Sequence, residues 1–304
     1  VVKTLDIKQL YTFRTIAALG SFNKAADLLH YAQSTVSEQV KALEGELGVK
    51  LFNRDGKYIS LTPAGELFLQ YAQKMINLEE EIRTEIKGSE DVHGSLSIRI
   101  PETISTYYLP PVLKIFKGHF PHVDFHFNSC SSLGLHEELR SGIINLAFLI
   151  TKDFRDVDLE TYTLMEVPLV MITYPKNPIA AKSSVQLIDF KNEPVFATSS
   201  DCSYFKILEE LFINSKIKFS TLYRINSIEA IKQNIAAGTG VALLSKISVH
   251  EEISKGLLVE LPLEKGPLSA NMLMIRLKNK WHPPILETFM KIMKETLSPQ
   301  LHSS

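Results

Sequence analysis

Between residues 33 and 41 the sequence sets short hydrogen-bonding side chains along one prospective helix: Gln33, Ser34, Thr35, Ser37, Glu38 and Lys41. Hydroxyls, an amide, a carboxylate and an ammonium match what a DNA major groove offers, base-edge donors and acceptors flanked by phosphates. Ser21 and Asn23 lie one short helical stretch upstream, and Arg54 and Lys57 follow downstream around Asp55-Gly56. The same residue types on a merely solvated face would bind only water, so the elements that carry them decide the reading. Other groupings carry less. Gly238-Thr239-Gly240 follows a helical stretch and precedes an extended one, the reverse of a phosphate loop, and reads as a turn. His119, His122 and His126 are interrupted by Pro121 and lack a Cys or carboxylate to complete a ligand set, so no metal is expected. No nucleophile and base converge in a motif, and the chain is expected to be neither an enzyme nor a carrier of a cofactor.

The elements around residues 33–41 support the groove reading. Asp6 with Gln9 forms a capping-box pattern, Leu10, Phe13 and Ala17 recur at helical spacing, and Gly20 offers a stop. Asn23 is expected to cap a second helix carrying Ala25, Ala26, Leu28 and Leu29, with a tight connection over His30 to Gln33. In the third helix Val36, Val40, Leu43 and Leu47 form an apolar stripe that ends at Gly48. Ser34, Glu38 and Lys41 then fall on the opposite side. Leu51 to Arg54 and Lys57 to Leu61 read as a hairpin, because Asp55-Gly56 supplies the positive φ angles of a tight turn. This is a wing, with Arg54 and Lys57 at its tip, where DNA backbone or minor groove would lie. Thr62 and Pro63 start a further helix as N-cap and first-turn residue, running to about Lys87 over about 36 Å. Its apolar positions Leu67, Tyr71, Met75, Leu78, Ile82 and Ile86 outrun what so small a domain can cover, and pairing with a second copy is the expected remedy.

Length and composition set the frame. A chain of 304 residues that is 45% hydrophobic suffices for about two domains. It shows no apolar run of roughly 18 residues and no secretory pattern, so a cytoplasmic protein without a membrane partner is expected. The two cysteines, Cys130 and Cys202, make no disulfide framework. Net charge is -1, so any DNA affinity must come from local placement, and residues 1–65 hold eight Lys or Arg against six Asp or Glu.

At this point a resemblance becomes specific. Phe13, Ser21-Phe22, Ala25-Ala26, Leu29, Gln33-Ser34, Val36-Ser37, Leu43-Glu44, Leu47-Gly48, Leu51-Phe52, Arg54, Leu61-Thr62 and Gly65 match, at fixed offsets, the DNA-binding domain of LysR-type transcription regulators, which this segment resembles. Glu38 departs from the Arg or Gln of many relatives, and a carboxylate there accepts from a cytosine amino group.

From Gly94 onward strands and helices alternate. Strands are expected at Leu96 to Ile100, Val123 to Asn128, Leu146 to Ile150, Leu169 to Tyr174, Val195 to Thr198 and Val241 to Leu244. Helices are expected at Leu109 to Phe116, Leu133 to Ser141, Tyr204 to Asn214 and Ile228 to Ala237. With Leu109-Pro110, Phe116, Phe120-Pro121, the Gly142 to Leu149 run, Ser227 to Ile231 and Ala237 to Leu244, this part is similar to the LysR effector domain. Asn145 replaces that run's usual acidic residue, which leaves one local hydrogen bond in question.

The resemblance implies an α/β chain with a winged helix-turn-helix over residues 1–62, a dimerisation helix over 63–88 and an effector domain over 89–304. That domain would resemble periplasmic binding proteins, with lobe 1 over about 89–165 and 269–304, lobe 2 over about 166–268, and two crossover strands. It implies binding to double-stranded DNA at interrupted dyads, a homodimer or homotetramer, RNA polymerase as a partner, and a small-molecule effector of unknown identity. In that fold Thr103 and Cys202-Ser203 would face each other across the cleft. Short donors at strand ends and helix starts suit a small anionic metabolite, so Thr103, Ser131, Cys202, Ser203 and Ser227 are the expected effector contacts. Cys202 falls near where a peroxide-sensing branch of the family carries its reactive cysteine, but no second cysteine follows within the next helix.

Overall fold

The computed structural model describes residues 5–53, 59–87, 94–129, 134–198, 203–215, 217, 220–278 and 282–297. The first helix, α1 (Ile7–Leu19), is closed by the expected capping box. Asp6 accepts from the Lys8 amide, Gln9 reaches back to the Asp6 amide, and Gly20 ends the helix at φ 59°. In α2 (Phe22–Leu29) the cap is Ser21, whose Oγ accepts from the Lys24 amide at 3.3 Å, and not the expected Asn23, which lies inside the helix and is exposed. Placing the cap at Ser21 lets Phe22 enter the core as the first helical residue. The third helix, α3 (Gln33–Leu47), starts within the expected connection and ends at Gly48, φ 71°. It buries Val36, Val40 and Leu43, while Leu47, expected in the same stripe, is 36% exposed as the last helical residue.

Two short strands, β1 (Phe52–Asn53) and β2 (Ser60–Leu61), pair antiparallel as the base of the wing, whose tip, with Arg54 and Lys57, lies outside the described residues. The long helix α4 (Pro63–Lys87) follows as expected. Thr62 Oγ1 accepts from the Gly65 amide at 3.0 Å and donates to the Lys50 carbonyl at 2.6 Å, tying the helix start to the strand before the wing. Gly65 is required there, because a Cβ would stand 2.1 Å from the Leu51 carbonyl oxygen. Leu10, Phe13, Ile16, Val36, Val40, Leu43 and Leu51, with Leu69, Ala72 and Ile76 of α4, form one closed core.

The remaining chain runs β3 (Gly94–Ile100), α5 (Glu102–Tyr107), α6 (Leu109–His119), β4 (Val123–Ser129), α7 (Leu135–Ser141), β5 (Leu146–Thr151), β6 (Leu159–Thr173), β7 (Pro194–Ala197), α8 (Ser203–Asn214), β8 (Thr221–Arg224), α9 (Ile228–Ala236), β9 (Val241–Ser245), α10 (Lys246–Ser254), β10 (Val259–Glu260), β11 (Leu268–Leu277) and α11 (Pro284–Leu297). The sheet order is β4-β3-β5-β11-β6-β9-β7-β8, with β10 beside β6. The first group, β4-β3-β5, is parallel, as is β9-β7-β8. Between them Leu159–Leu169 of β6 pairs antiparallel with the whole of β11, with one irregularity at Met272/Leu273, and so joins two parallel half-sheets. These are the two crossover strands.

The extent of β6 differs from expectation. It begins at Leu159 rather than Leu169; its first half alternates Glu160, Tyr162 and Leu164 with the exposed Thr161 and Thr163, a half-buried pattern without an apolar run to mark it in the sequence. The edge strand β8 is largely exposed and gave no signal. Asn145 keeps the local bond that was in question: its Oδ1 accepts from the Ser97 amide at 2.8 Å, while its own amide donates to the Ser97 carbonyl at 2.8 Å. The turn at Gly238-Thr239-Gly240 packs against β7, with a Cβ on Gly240 falling 2.1 Å from the Pro194 carbonyl oxygen. Among the described residues no helix is long and apolar enough to cross a membrane.

Candidate nucleic-acid face and inter-lobe cleft

Helix α3 presents Gln33, Ser34, Glu38 and Lys41 to solvent, with Thr35 and Ser37 half-buried, directly opposite its buried Val36, Val40 and Leu43. The helix is held in place from below, where Thr12 Oγ1 of α1 donates to Gln39 Oε1 at 2.5 Å. Ser21, Asn23, Gln33 and Ser37 converge on one open depression beside Ile59 of the wing. Gln33 Nε2 donates to Ser37 Oγ at 3.0 Å, which orients its amide along the face. Four of the expected reading residues thus share one depression, Ser34, Thr35, Glu38 and Lys41 lie along the same helix, and Arg54 and Lys57 lie outside the described residues. Glu44 was recognised only as part of a motif. It is buried, with Oε1 accepting from the Leu51 and Phe52 amides at 2.9 and 3.4 Å and Oε2 paired with Lys50 at 2.8 Å, so it fixes the start of the wing to the reading helix.

In the C-terminal domain, α5 makes hydrogen bonds that cross between the half-sheets. Thr103 is fully buried and its Oγ1 lies 2.9 Å from the Tyr204 hydroxyl in the first turn of α8. The Ile228 amide, at the start of α9, donates to Glu102 Oε2 at 3.0 Å. Tyr107 donates its hydroxyl to the Ser248 carbonyl at 3.3 Å. Thr103 thus meets α8 through Tyr204, while the expected facing of Thr103 and Cys202-Ser203 falls on residues outside the described side chains. Ser203 opens α8, while Ser131 and Cys202 lie outside the described residues. Ser227 is the N-cap of α9, with Oγ accepting from its own helix's Ala230 amide at 3.3 Å.

The sequence reading missed Glu102 and Tyr204, each adjacent to a residue it did single out. Their partners lie 126 and 101 residues away along the chain, beyond any local periodicity. Within α9, Lys232 is buried with Nζ 2.8 Å from Glu229 and 2.7 Å from Glu252 of α10. Burial alone would lower its ammonium, but the two carboxylates outweigh that and hold it well above its ordinary value. Lys232 is therefore committed and offers no free charge to a ligand.

Among the described residues, His136, Asp156 and Asp158 form the one grouping with metal-ligand atoms close together. His136 Nδ1 is 2.9 Å from Asp156 and Nε2 is 3.7 Å from Asp158, so both ring nitrogens face carboxylates, as suits an imidazolium. The hydrogen bond to Asp156 raises the His136 pKa above 6.5. This clamp ties α7 to the β5–β6 loop. Its stabilisation is fully present below pH 6.5 and is lost as pH rises through the raised value. Thermal unfolding of wild type and His136→Gln should differ by about 0.5–1 kcal/mol at pH 6 and converge at high pH. A difference that persists unchanged at pH 9 would remove the clamp.

Comparison with known proteins fits both halves of this geometry. Residues 7–66 match the family model described as bacterial regulatory helix-turn-helix protein, lysR family, and residues 89–298 match the LysR substrate binding domain. The uncharacterized HTH-type transcriptional regulator YwqM of Bacillus subtilis is 34% identical over 293 residues, covering 96% of this chain and 99% of the relative. Among solved structures, full-length OxyR from Pseudomonas aeruginosa superposes with a TM-score of 0.72 at 22% identity, covering 97% of this chain and 95% of that one. The Synechocystis CcmR regulatory domain in complex with 2-PG does so with a TM-score of 0.60 at 21% identity, covering 67% of this chain and 98% of that one.

Proposed function

This chain belongs to the LysR family of bacterial transcription regulators, and from that membership we propose that α3 reads interrupted-dyad DNA sites under control of a small metabolite bound between the two lobes. The observation that carries the DNA half is the exposed Ser34, Glu38 and Lys41 edge of α3, backed by a fully buried opposite edge and flanked by the wing. Gln33, Thr35 and Ser37 lie on the same helix, with Ser21 and Asn23 beside it, and Arg54 and Lys57 belong to the wing tip. Ser34→Ala or Glu38→Ala should change which sequence is preferred, at about 1–3 kcal/mol per affected base pair. Lys41→Ala should weaken all sites alike and flatten the salt dependence, because a phosphate contact releases counterions. Selection of binding sites from random duplexes checks this. Unchanged preference for both Ser34→Ala and Glu38→Ala would remove α3 as the reading helix.

The effector half of the reading takes an anionic group of the metabolite to the short donors at the cleft, Thr103, Ser131, Cys202 and Ser203, with Ser227 at its margin. What supports it is the buried Thr103–Tyr204 bridge, which puts polar atoms of α5 and α8 together where the half-sheets meet. The CcmR domain's complex with 2-PG supports a small ligand for a domain of this fold. Lobe closure would be passed to the reading heads of a homodimer or of a tetramer of two such dimers, and from there to RNA polymerase in the cytoplasm. Thr103→Val keeps the side chain's shape and removes its hydroxyl. Wild type purified with its retained ligand, identified by mass spectrometry, should change operator affinity when that ligand is added back. Thr103→Val should lose this response while its ligand-free operator affinity stays within about twofold. A full response in Thr103→Val would move the effector elsewhere.

A further inference from the structure

Where the reading domain meets the effector domain, the two enclose a cavity of about 450 Å³. Its floor is polar and belongs to the edge of the effector sheet. Ser95, Ser97 and Arg99 alternate along β3, and His126 and Asn128 of β4 stand beside Ser97 and Arg99 in register, on the same face. The bond of 3.4 Å from Asn128 Nδ2 to Ser97 Oγ confirms the shared face. The opposite wall is the reading domain, which contributes Arg14 and Leu19 of α1 and Leu28 of α2. Gln73 of α4 also lines the cavity and is buried against Gly142, where a Cβ would stand 2.3 Å from the Gln73 side chain, so the long helix and the turn after α7 touch directly. Neither domain alone forms this space. Among the described residues it shares none with the depression of Ser21, Asn23, Gln33 and Ser37 or with the hydrogen bonds of α5. The charges decide what fits. Arg99 is paired with Glu138, and Asn145 brings no charge to the wall. Arg14 is left: it is half-buried, its guanidinium lies 5.0 Å from the Tyr11 ring, and it has no carboxylate partner among the described residues. A half-buried guanidinium without a counter-ion, beside neutral hydroxyl and amide groups, favours a negative group. Leu19 and Leu28 are exposed apolar side chains on the same wall and offer contact to a hydrocarbon body.

We propose that this junction is a second ligand site, for a small organic anion whose carboxylate or phosphate is held by Arg14, whose apolar body lies against Leu19 and Leu28, and whose polar edge meets Ser95 and Asn128. The site is separate from the inter-lobe cleft and does not depend on the effector reading above. Because one ligand touches both domains, its binding free energy also holds the reading domain on the effector domain.

The test uses the full-length protein and calorimetry, with phenylacetate, phenyl phosphate, neutral phenylacetamide and inorganic phosphate as probes. At least one of the two aromatic anions should bind wild type, and the tighter of them tells whether the acidic group is a carboxylate or a phosphate. Phenylacetamide, which lacks the charge, and inorganic phosphate, which lacks the apolar body, should each bind at least about tenfold more weakly. Arg14→Gln should cost the anion at least about tenfold and cost phenylacetamide nothing further, while Arg14→Lys, which keeps the charge, should bind within about threefold of wild type. Asn128→Ala, on the other domain, should weaken the anion by at least about threefold. Loss with a substitution on each side of the junction is what a bridging ligand requires. Binding by neither anion would overturn the proposal, as would an anion that responds to a substitution in one domain only. Binding lost in Thr103→Val but kept in Arg14→Gln would put the probe in the inter-lobe cleft and overturn it as well.

Discussion

Placing Asp at Leu78 is expected to split the assembly and lower affinity for a two-half-site operator by about a hundredfold or more. The basis is the face of α4 left open in the single chain. Leu67, Tyr71, Met75, Leu78 and Ile82 are 57%, 55%, 41%, 55% and 49% exposed, whereas Leu69, Ala72 and Ile76 on the other side are buried in the reading domain. An exposed apolar stripe at spacings of four, four, three and four along one helix is the seam of a helix pair. Each of its larger side chains gains about 1.5–3 kcal/mol on full burial, so a second copy of α4 recovers more than the ordering cost of one helix face. A carboxylate in the middle of that seam must be desolvated without a partner. Sedimentation of Leu78→Asp should show the smaller species, and a single half-site should bind both proteins equally, since each reading head is intact. Leu78→Met should restore the assembly. An unchanged sedimentation coefficient for Leu78→Asp at micromolar concentration would dispose of the paired helix.

Helix α3 was legible in the sequence because a helix of fixed pitch leaves little choice. Once Val36, Val40 and Leu43 face the core, Ser34, Glu38 and Lys41 must face out. The caps at Asp6, Gly20, Gly48 and Thr62 were equally plain, since each needs a side-chain acceptor or a left-handed backbone that few residues supply. Ser21 and Asn23 show where such reasoning stops. Both are competent N-caps, and the packing of Phe22 decided between them. The crossover strand β6 was half seen for a similar reason, its apolar second half standing out and its alternating first half merging with loop composition.

The cleft was harder to read. Thr103 was found because it follows a strand, but six residues of α5 are too short to show a period, and their partners come from α8, α9 and α10. Charge placement depends on such long-range pairing. Glu102 and Lys232 are unremarkable in sequence, and only their contacts with Ile228, Glu229 and Glu252 show that one anion place is filled and one cation is spent.

Glu44→Ala should destabilise the reading domain by about 3 kcal/mol, more than a hundredfold in its folding equilibrium. The carboxylate is 2% exposed and accepts from the Leu51 and Phe52 amides, so truncation strands two buried N–H donors at the entry to the wing and releases Lys50. The same geometry sets a pH dependence. Burial by itself would raise the Glu44 pKa, but the Lys50 ammonium and the two amides outweigh it and bring the carboxyl below its ordinary value of 4.5. A depressed carboxylate contributes stability above its unfolded pKa, and that contribution fades as pH falls below 4.5 and through the folded value. Glu44→Gln keeps an acceptor for the amides and gives up only the charge, so it should cost about 1 kcal/mol at pH 7 and lose less than wild type on acidification. Urea unfolding followed by a probe in the N-terminal domain, at pH 7 and pH 4, distinguishes these cases. Should Glu44→Ala unfold at the wild-type urea midpoint at pH 7, the buried carboxylate would be a passenger, and the wing would owe its position to Gly65 and the Thr62–Lys50 bond alone.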